Sequence, residues 1–337
     1  MATASTDGRK KVVITGGCGN LGSKLAQHLN DSWTVALLEH PNFFRKEVVP
    51  EGATITLCDL GDPERIGDWE AVFEDAEAVV HFSAVNPYPN ASWSECAQSC
   101  DHIFNVFTVA CAKGVNRVVF ASSNHVMGGY KDMKPSLAAE SLLPSLEPKV
   151  GTKVASVSAS GDAIAYASAK LAGERLAASL AAQHAPKTTF VVLRVGWCQP
   201  GENLPTTLSA EGSPPEFLSE LPVDGAPSLA TSEADPLKES DEQWFKGMWL
   251  SNRDFLSYFT AALSVDIPVS WPEEETEYCA KYHRHRRKGF LIVNAMSSNT
   301  GAKWSLEETS SILGVFSKDD SFHSGAYHPQ KSSNGGH

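Results

Sequence analysis

Between Lys11 and Val195, short runs of β-branched and other apolar residues alternate with longer stretches whose apolar positions recur at helical spacing. Short apolar runs read as strands buried on both sides, and the longer periodic stretches read as helices. The pattern predicts strands over 11–15, 34–39, 54–58, 78–82, 117–122 and 189–195, with helices near 20–30, 63–73, 92–113 and 165–184 between them. Strand and helix in alternation, joined by right-handed crossovers, make an α/β fold, a doubly wound parallel sheet with helices on both faces. Its main domain is expected over 10–196, read below as dinucleotide-binding.

Two segments break the rhythm. Residues 128–161 are rich in Ser, Pro and Gly, and 199–243 mix prolines with scattered acids, so both are expected as long loop insertions over the surface. Loops of this kind carry substrate contacts. The pattern resumes with a helix near 252–264, a strand over 289–294 and a helix begun by Ser305, with Glu308 at capping-box spacing. Residues 197–317 are thus expected as a small substrate-binding portion, and 318–337 as a flexible tail.

Composition narrows the class. The 337 residues are 42% hydrophobic and 20% charged, ample for a sizeable core. Forty acidic against 28 basic side chains leave a net charge of −12, which makes nucleic acid and anionic membrane poor partners. Apolar stretches such as 189–195 fall well short of the roughly 18–20 residues of a membrane helix. The N-terminal residues lack the apolar core of a signal peptide, so a cytoplasmic address is expected. Seven cysteines without a CxxC pair read as reduced, mostly buried thiols, and no metal site is expected.

The first strand runs directly into Thr15-Gly16-Gly17-Cys18-Gly19-Asn20-Leu21-Gly22. A strand, a glycine turn and a helix in that order let backbone N–H groups meet a pyrophosphate that an added Cβ would obstruct. Gly16, Gly19, Asn20, Leu21 and Gly22 are therefore candidate cofactor contacts. Glu39 closes the next strand 17 residues after Gly22, where a carboxylate can accept hydrogen bonds from an adenosine ribose and repel a 2′-phosphate. NAD is favoured over NADP, with His40, Arg45 and Lys46 as the residues that would admit NADP. Asp59, after the third strand, either reaches the adenine edge or is a turn residue.

Tyr166 and Lys170 are spaced i, i+4 at the start of a helix and share one face. An ammonium beside a phenol favours the phenolate, so the pair can supply a base. Ser122-Ser123-Asn124-His125 stands at the end of the fifth strand, and strand ends of an open parallel sheet face the ligand crevice.

These residues together resemble the short-chain dehydrogenase/reductases of extended type. The TGxxGxxG turn, Asp59-Leu60, Val80-His81-Phe82-Ser83-Ala84, Phe120-Ala-Ser-Ser123 and Tyr166-x-x-x-Lys170 stand in that family's order within 11–200. The resemblance implies a Rossmann fold in which Leu60, Phe82, Ser83 and Ala84 join the cofactor contacts. It also implies that Ser123 hydrogen-bonds the substrate oxygen, Tyr166 exchanges its proton, and Lys170 holds the nicotinamide ribose while lowering the tyrosine's pKa. Helices equivalent to 92–113 and 165–184 usually form a dimer contact in this family, so a homodimer is expected, although burial within a monomer would leave the same small-residue surface. The family's NVxGTxN pattern is met here by Ser99-Cys-Asp-His-Ile-Phe-Asn105, which keeps only the second asparagine.

Within the family, Ser122-Ser-Asn-His125, Leu193-Arg-Val-Gly196 and Trp249-Leu-Ser251 followed by Asp254-Phe255 look like uronate dehydrogenases, which oxidise the anomeric carbon of a hexuronic acid. By that resemblance Asn124 and His125 contact sugar hydroxyls or the carboxylate, and Asn86 sits where those enzymes carry a substrate-facing serine. Trp197 replaces another of their serines and either narrows the pocket or packs beneath it. Trp244 falls at their carboxylate-clamping arginine, with Lys246 or Arg253 as the candidate replacement. The expected function is NAD-dependent oxidation of a hydroxyl of a sugar acid or related sugar. The alternatives are a nucleotide-sugar epimerase or dehydratase using the same groups, and a dinucleotide-binding regulator without catalysis.

Overall fold

A computed structural model describes residues 8–86, 91–133, 136–152, 163–208, 239–268, 271 and 285–323. Eight strands form one sheet: β1 (Lys11–Thr15), β2 (Thr34–Glu39), β3 (Thr54–Leu57), β4 (Ala76–His81), β5 (Arg117–Ser123), β6 (Thr189–Val195), β7 (Arg286–Arg287) and β8 (Phe290–Ala295). Their order is β3-β2-β1-β4-β5-β6-β8-β7. Every pairing is parallel except β7 with β8. This is the doubly wound Rossmann sheet that the alternation predicted, extended by two strands from the C-terminal portion.

Six α-helices are described: α1 (Asn20–Leu29), α2 (Trp93–Lys113), α3 (Ile164–His184), α4 (Glu239–Gly247), α5 (Asn252–Ser264) and α6 (Glu307–Leu313). Alternation along each strand sends side chains to opposite faces. Val12 and Ile14 pack with Leu25 and Leu29 of α1 and with Phe255 and Phe259 of α5. Val13, between them, faces the other way, into a core with Phe107 of α2 and Ala177 and Leu180 of α3. Burial on both faces is why the strands read as near-continuous apolar runs. A third cluster, containing Val126, Met127, Leu142, Trp244, Met248, Met296 and Trp304, fills the space beyond the ends of β6 and β8.

The structure corrects four local expectations. Residues 63–73 are two 3₁₀ turns, Pro63–Asp68 and Glu70–Phe73, and not an α-helix. Ser305 is not the N-cap of α6, a place taken by Leu306: it is buried, its N–H pairs with the Leu142 carbonyl and its Oγ accepts the Glu307 N–H at 3.4 Å, while Glu308 is drawn to His285 and Arg286. The capping box forms instead at α2, where Ser92 and Glu95 bond reciprocally. Segment 128–161 is not simply a surface loop, because Leu142 and Thr152 are fully buried. The tail does not fray at 318: the N–H groups of Lys318 and Asp319 bond the Asp254 carboxylate, and Asp319 and Ser321 are buried. Residues 324–337 lie outside the described residues, as do 153–162 and 209–238 of the two insertions.

Candidate active site

The parallel strands β1 to β6 end along one edge of the sheet, so the turns after β1, β2, β3, β4 and β5 open on a common crevice. The turn after β1 is built mainly of glycine, with Cys18 its one side chain. Gly16 has φ of +65°, and a Cβ there would lie 3.0 Å from the Ser83 nitrogen. A Cβ on Gly22 would lie 2.1 Å from the Gly16 carbonyl oxygen. Helix α1 begins with no side-chain cap and no acidic residue in its first turn, which leaves its positive end facing the cradle. Gly22→Ala is expected to push turn and helix apart at a cost of about 1–3 kcal/mol, read as a lower melting temperature together with weakened NAD binding in a fluorescence titration.

Glu39 sits beside this cradle. Its carboxylate accepts the N–H of Cys18 and that of His40, each at 2.8 Å. Burial raises its pKa, and the two amide donors oppose that rise. Arg45 donates to the Cys18 carbonyl, so the Cys18 peptide is held from both sides. A glycine-rich turn, an uncapped helix end and a carboxylate at the end of β2 fit the adenosine diphosphate half of NAD. Asp59 accepts the N–H of Gly61, and Leu60 is buried. Phe82 packs its ring on Phe259, leaving its backbone beside Gly16. Asn20 commits its side-chain amide to the Cys198 carbonyl at 2.9 Å, next to Lys24, which bonds Gln199 and Asn252.

At the end of β5 the catalytic candidates meet. Ser83, Ala84, Cys96, Ser99, Ile103, Tyr166, Ala169 and Lys170 line one small pocket. Lys170 Nζ donates to the Ala121 carbonyl at 2.9 Å and stands 5.8 Å from the centre of the Tyr166 ring. Tyr166 is half-buried. Burial pushes the phenol up to about 12, and the hydrogen-bonded Ser123 side chain pulls the other way. Burial likewise brings Lys170 down to about 8. In the chain alone, desolvation therefore outweighs the lowering of the tyrosine's pKa that the resemblance implies.

His125 stacks edge-on to Tyr166, with ring centres 5.9 Å apart. Its Nδ1 pairs with Thr152 Oγ1 at 2.7 Å, and its carbonyl accepts the N–H of Gly151. Gly128 admits this strap, since a Cβ there would lie 1.9 Å from Thr152 Oγ1. Burial brings His125 down to about 4. The unfolded chain takes up this proton near pH ~6.5, so stability is lost as the pH falls from there toward 4. His125→Asn is expected to remove up to about 3 kcal/mol of that acid sensitivity, measured by urea unfolding at pH 7 and pH 4. His81, buried and held well below its ordinary value by desolvation, contributes in the same direction.

Other predicted contacts lie elsewhere or are committed. Asn124 donates to the Val195 carbonyl at 3.1 Å, and its buried Oδ1 has no partner. Asn86 has φ of +64° and bonds Glu95. Trp197 bridges Trp249 and packs edge-on to Phe245, at the third cluster. Trp244 is buried against Trp304. Lys246 stands over the Phe322 ring, and Arg253 is paired with Asp319. None of Trp197, Lys246 and Arg253 lines the Tyr166 pocket.

Sequence reasoning missed Glu174, Thr152 and His102. Glu174 is eight residues beyond Tyr166 on the same face of α3, a spacing that was visible. It bonds Arg194 through two contacts of 2.9 Å and accepts from Ser122 at 2.7 Å, tying α3 to β5 and β6 beneath the site. Thr152 had no local signal, because only the folded strap brings it to His125.

Comparison with known proteins places the chain among sugar-converting dehydrogenases and epimerases by similarity. The chain is 25% identical to the L-arabinose 1-dehydrogenase (NAD(P)(+)) of Haloferax volcanii, over 92% of its own length and 97% of that protein's. It is 30% identical to the uronate dehydrogenase of Pseudomonas putida over 36% of its length and 43% of the relative's. Among solved structures, a mutated uronate dehydrogenase superposes with a TM-score of 0.58 at 19% identity, covering 93% of this chain and 83% of that one. The Bordetella bronchiseptica enzyme WbmG, in complex with NAD and UDP, superposes with a TM-score of 0.57 at 16% identity, covering 93% and 91%. The sequence pattern of the NAD dependent epimerase/dehydratase family matches residues 12–196, from the first residues of β1 to just past β6, and the chain belongs to that family.

Proposed function

We propose that this protein is an NAD-dependent dehydrogenase that oxidises a hydroxyl, the anomeric one, of a sugar acid or related sugar. The observation that carries this is the meeting of Ser123, Tyr166 and Lys170 at the end of β5, beside the glycine cradle. Gly16, Gly19, Gly22, Glu39 and Asp59 would hold the adenosine diphosphate half of NAD, and Lys170 the nicotinamide ribose. When bound, NAD supplies a positively charged two-electron acceptor for the sugar carbon. A positive charge beside Tyr166 favours its phenolate, offsetting the burial that holds the phenol at about 12. Tyr166 then accepts the proton of the sugar hydroxyl while Ser123 hydrogen-bonds the same oxygen. His125 and Asn124 orient the remaining hydroxyls or a carboxylate. The α-helical face bearing Trp93, 66% exposed, and Phe104, 48% exposed, is the surface for a homodimer. The described helices include none long and apolar enough to cross a membrane, and the cytoplasm is the proposed location.

Mixing the purified protein with NAD and then NADP against galacturonate, glucuronate, L-arabinose and neutral hexoses tests the reading. Absorbance at the reduced-nicotinamide band is expected to rise with NAD and at least one sugar. Its absence across the panel, with cofactor retained through gel filtration, would favour the nucleotide-sugar epimerase or dehydratase instead. That alternative has support in the 27% identity to the UDP-glucose 4-epimerase of Azospirillum brasilense over 37% of each chain.

A further inference from the structure

Helix α2 turns one row of polar side chains toward the loops that follow β3 and β4. Ser99, His102 and Asn105 are spaced three apart, so they lie on one helix face. Ser99 Oγ accepts the N–H of Val85 at 2.9 Å, His102 Nδ1 lies 3.0 Å from Ser83 Oγ, and Asn105 Nδ2 donates to the Leu60 carbonyl at 2.8 Å. His102 reaches both loops. A Cβ on Gly61 would stand 3.1 Å from its Cδ2, 3.2 Å from its Nε2 and 3.3 Å from Asp59 Oδ1, so the imidazole rests against the turn that Asp59 closes.

The residue is unusual for its place. The family's pattern has a glycine where this chain has His102, and the residue is 8% exposed. A polar ring so enclosed needs a partner, and Ser83 provides one. Desolvation lowers its pKa below the ordinary histidine value, against Asp59 and Asp101, which raise it, and with His40, which lowers it further. The neutral ring is the form that fits between the loops.

We propose that His102 is a positioning residue that sets the spacing between the 59–61 and 82–84 loops to the width of the bound adenosine half of NAD. The proposal rests on the reading that the chain binds NAD, and it goes beyond that reading by assigning the preorganisation of the cradle to one side chain. Loops already held at the right separation lose less freedom when the ligand arrives, and binding is tighter by that amount.

Direct titration of NAD into the full chain, followed by tryptophan fluorescence, measures Kd without turnover. His102→Phe keeps the bulk and removes the nitrogens. It is expected to raise Kd about tenfold, near the worth of one buried hydrogen bond, with KM for NAD following and kcat at saturating NAD within about twofold. His102→Asn places its amide near the position of Nδ1 and is expected to bring Kd back within about threefold of wild type. An unchanged Kd in His102→Phe overturns the proposal, and so does an Asn variant as weak as the Phe one, since that would leave only packing. Should His102→Phe not fold, His102→Leu removes the same bond with less bulk and must show the same rise; if it does not, the proposal fails. A wild-type chain that binds NAD but oxidises no sugar removes the proposed reaction and leaves His102 to be judged by these titrations, whereas a wild-type chain that binds no NAD overturns both.

Discussion

Tyr166→Phe is expected to lower kcat by about 10²–10⁴-fold, the usual worth of a positioned acid–base group, while Kd for NAD stays near the wild-type value. The substitution removes one oxygen and leaves the ring against Ala165, Ala169 and Cys96. The glycine cradle and Glu39, which hold the other half of the cofactor, are untouched. Steady-state rates and a separate NAD titration check both halves of the expectation. A variant whose turnover stayed within about threefold of wild type would assign the proton transfer to another group.

The pH dependence of the wild type follows from the same two groups. With the phenol far above neutral and Lys170 at about 8, the phenolate fraction rises about tenfold from pH 7 to pH 8, where about half of the ammonium remains. Above about pH 8 the ammonium that supports the phenolate is lost, so the rise in oxidation rate flattens there.

Glu174→Leu is expected to destabilise the fold by about 3–5 kcal/mol, because it leaves a buried guanidinium without its carboxylate. Both members of the pair are 2% exposed, and Ser122 loses its acceptor in the same step. Combining it with Arg194→Leu is expected to recover most of the loss, since an apolar pair of similar volume is often neutral where a broken ion pair is not. Urea unfolding of the two single variants and the double variant measures this. Equal destabilisation in all three would show that packing, and not the unpaired charge, sets the cost.

The strands of the first two hundred residues were legible because both faces of the sheet are covered, so each strand is a plain apolar run between turns. Ser123 was legible because strand ends of a parallel sheet share one edge, and Tyr166 and Lys170 by their i, i+4 spacing and the resemblance to the family. Residues 63–73 misled because Ile66, Trp69 and Phe73 have helical spacing, yet Pro63, Gly67 and a short span between β3 and β4 leave room only for tight turns. Ser305 and Glu308 satisfy a local capping pattern, but a bridge to residue 142 and a histidine from the β7 hairpin claim them first. His102 and Thr152 act through partners 19 and 27 residues away, which no local periodicity can announce.

One edge of the sheet ends in β7, which is two residues long and pairs antiparallel with β8 through Arg286 and Arg287. Arg287 is exposed, and Arg286 is held by Glu308 and lies over the Trp271 ring. A row of unpaired backbone groups on a longer, apolar edge would template the addition of a strand from another molecule. A short edge with a charged, solvated side chain offers almost no such template. At high concentration this side of the molecule is therefore a poor nucleus for strand-by-strand growth between copies.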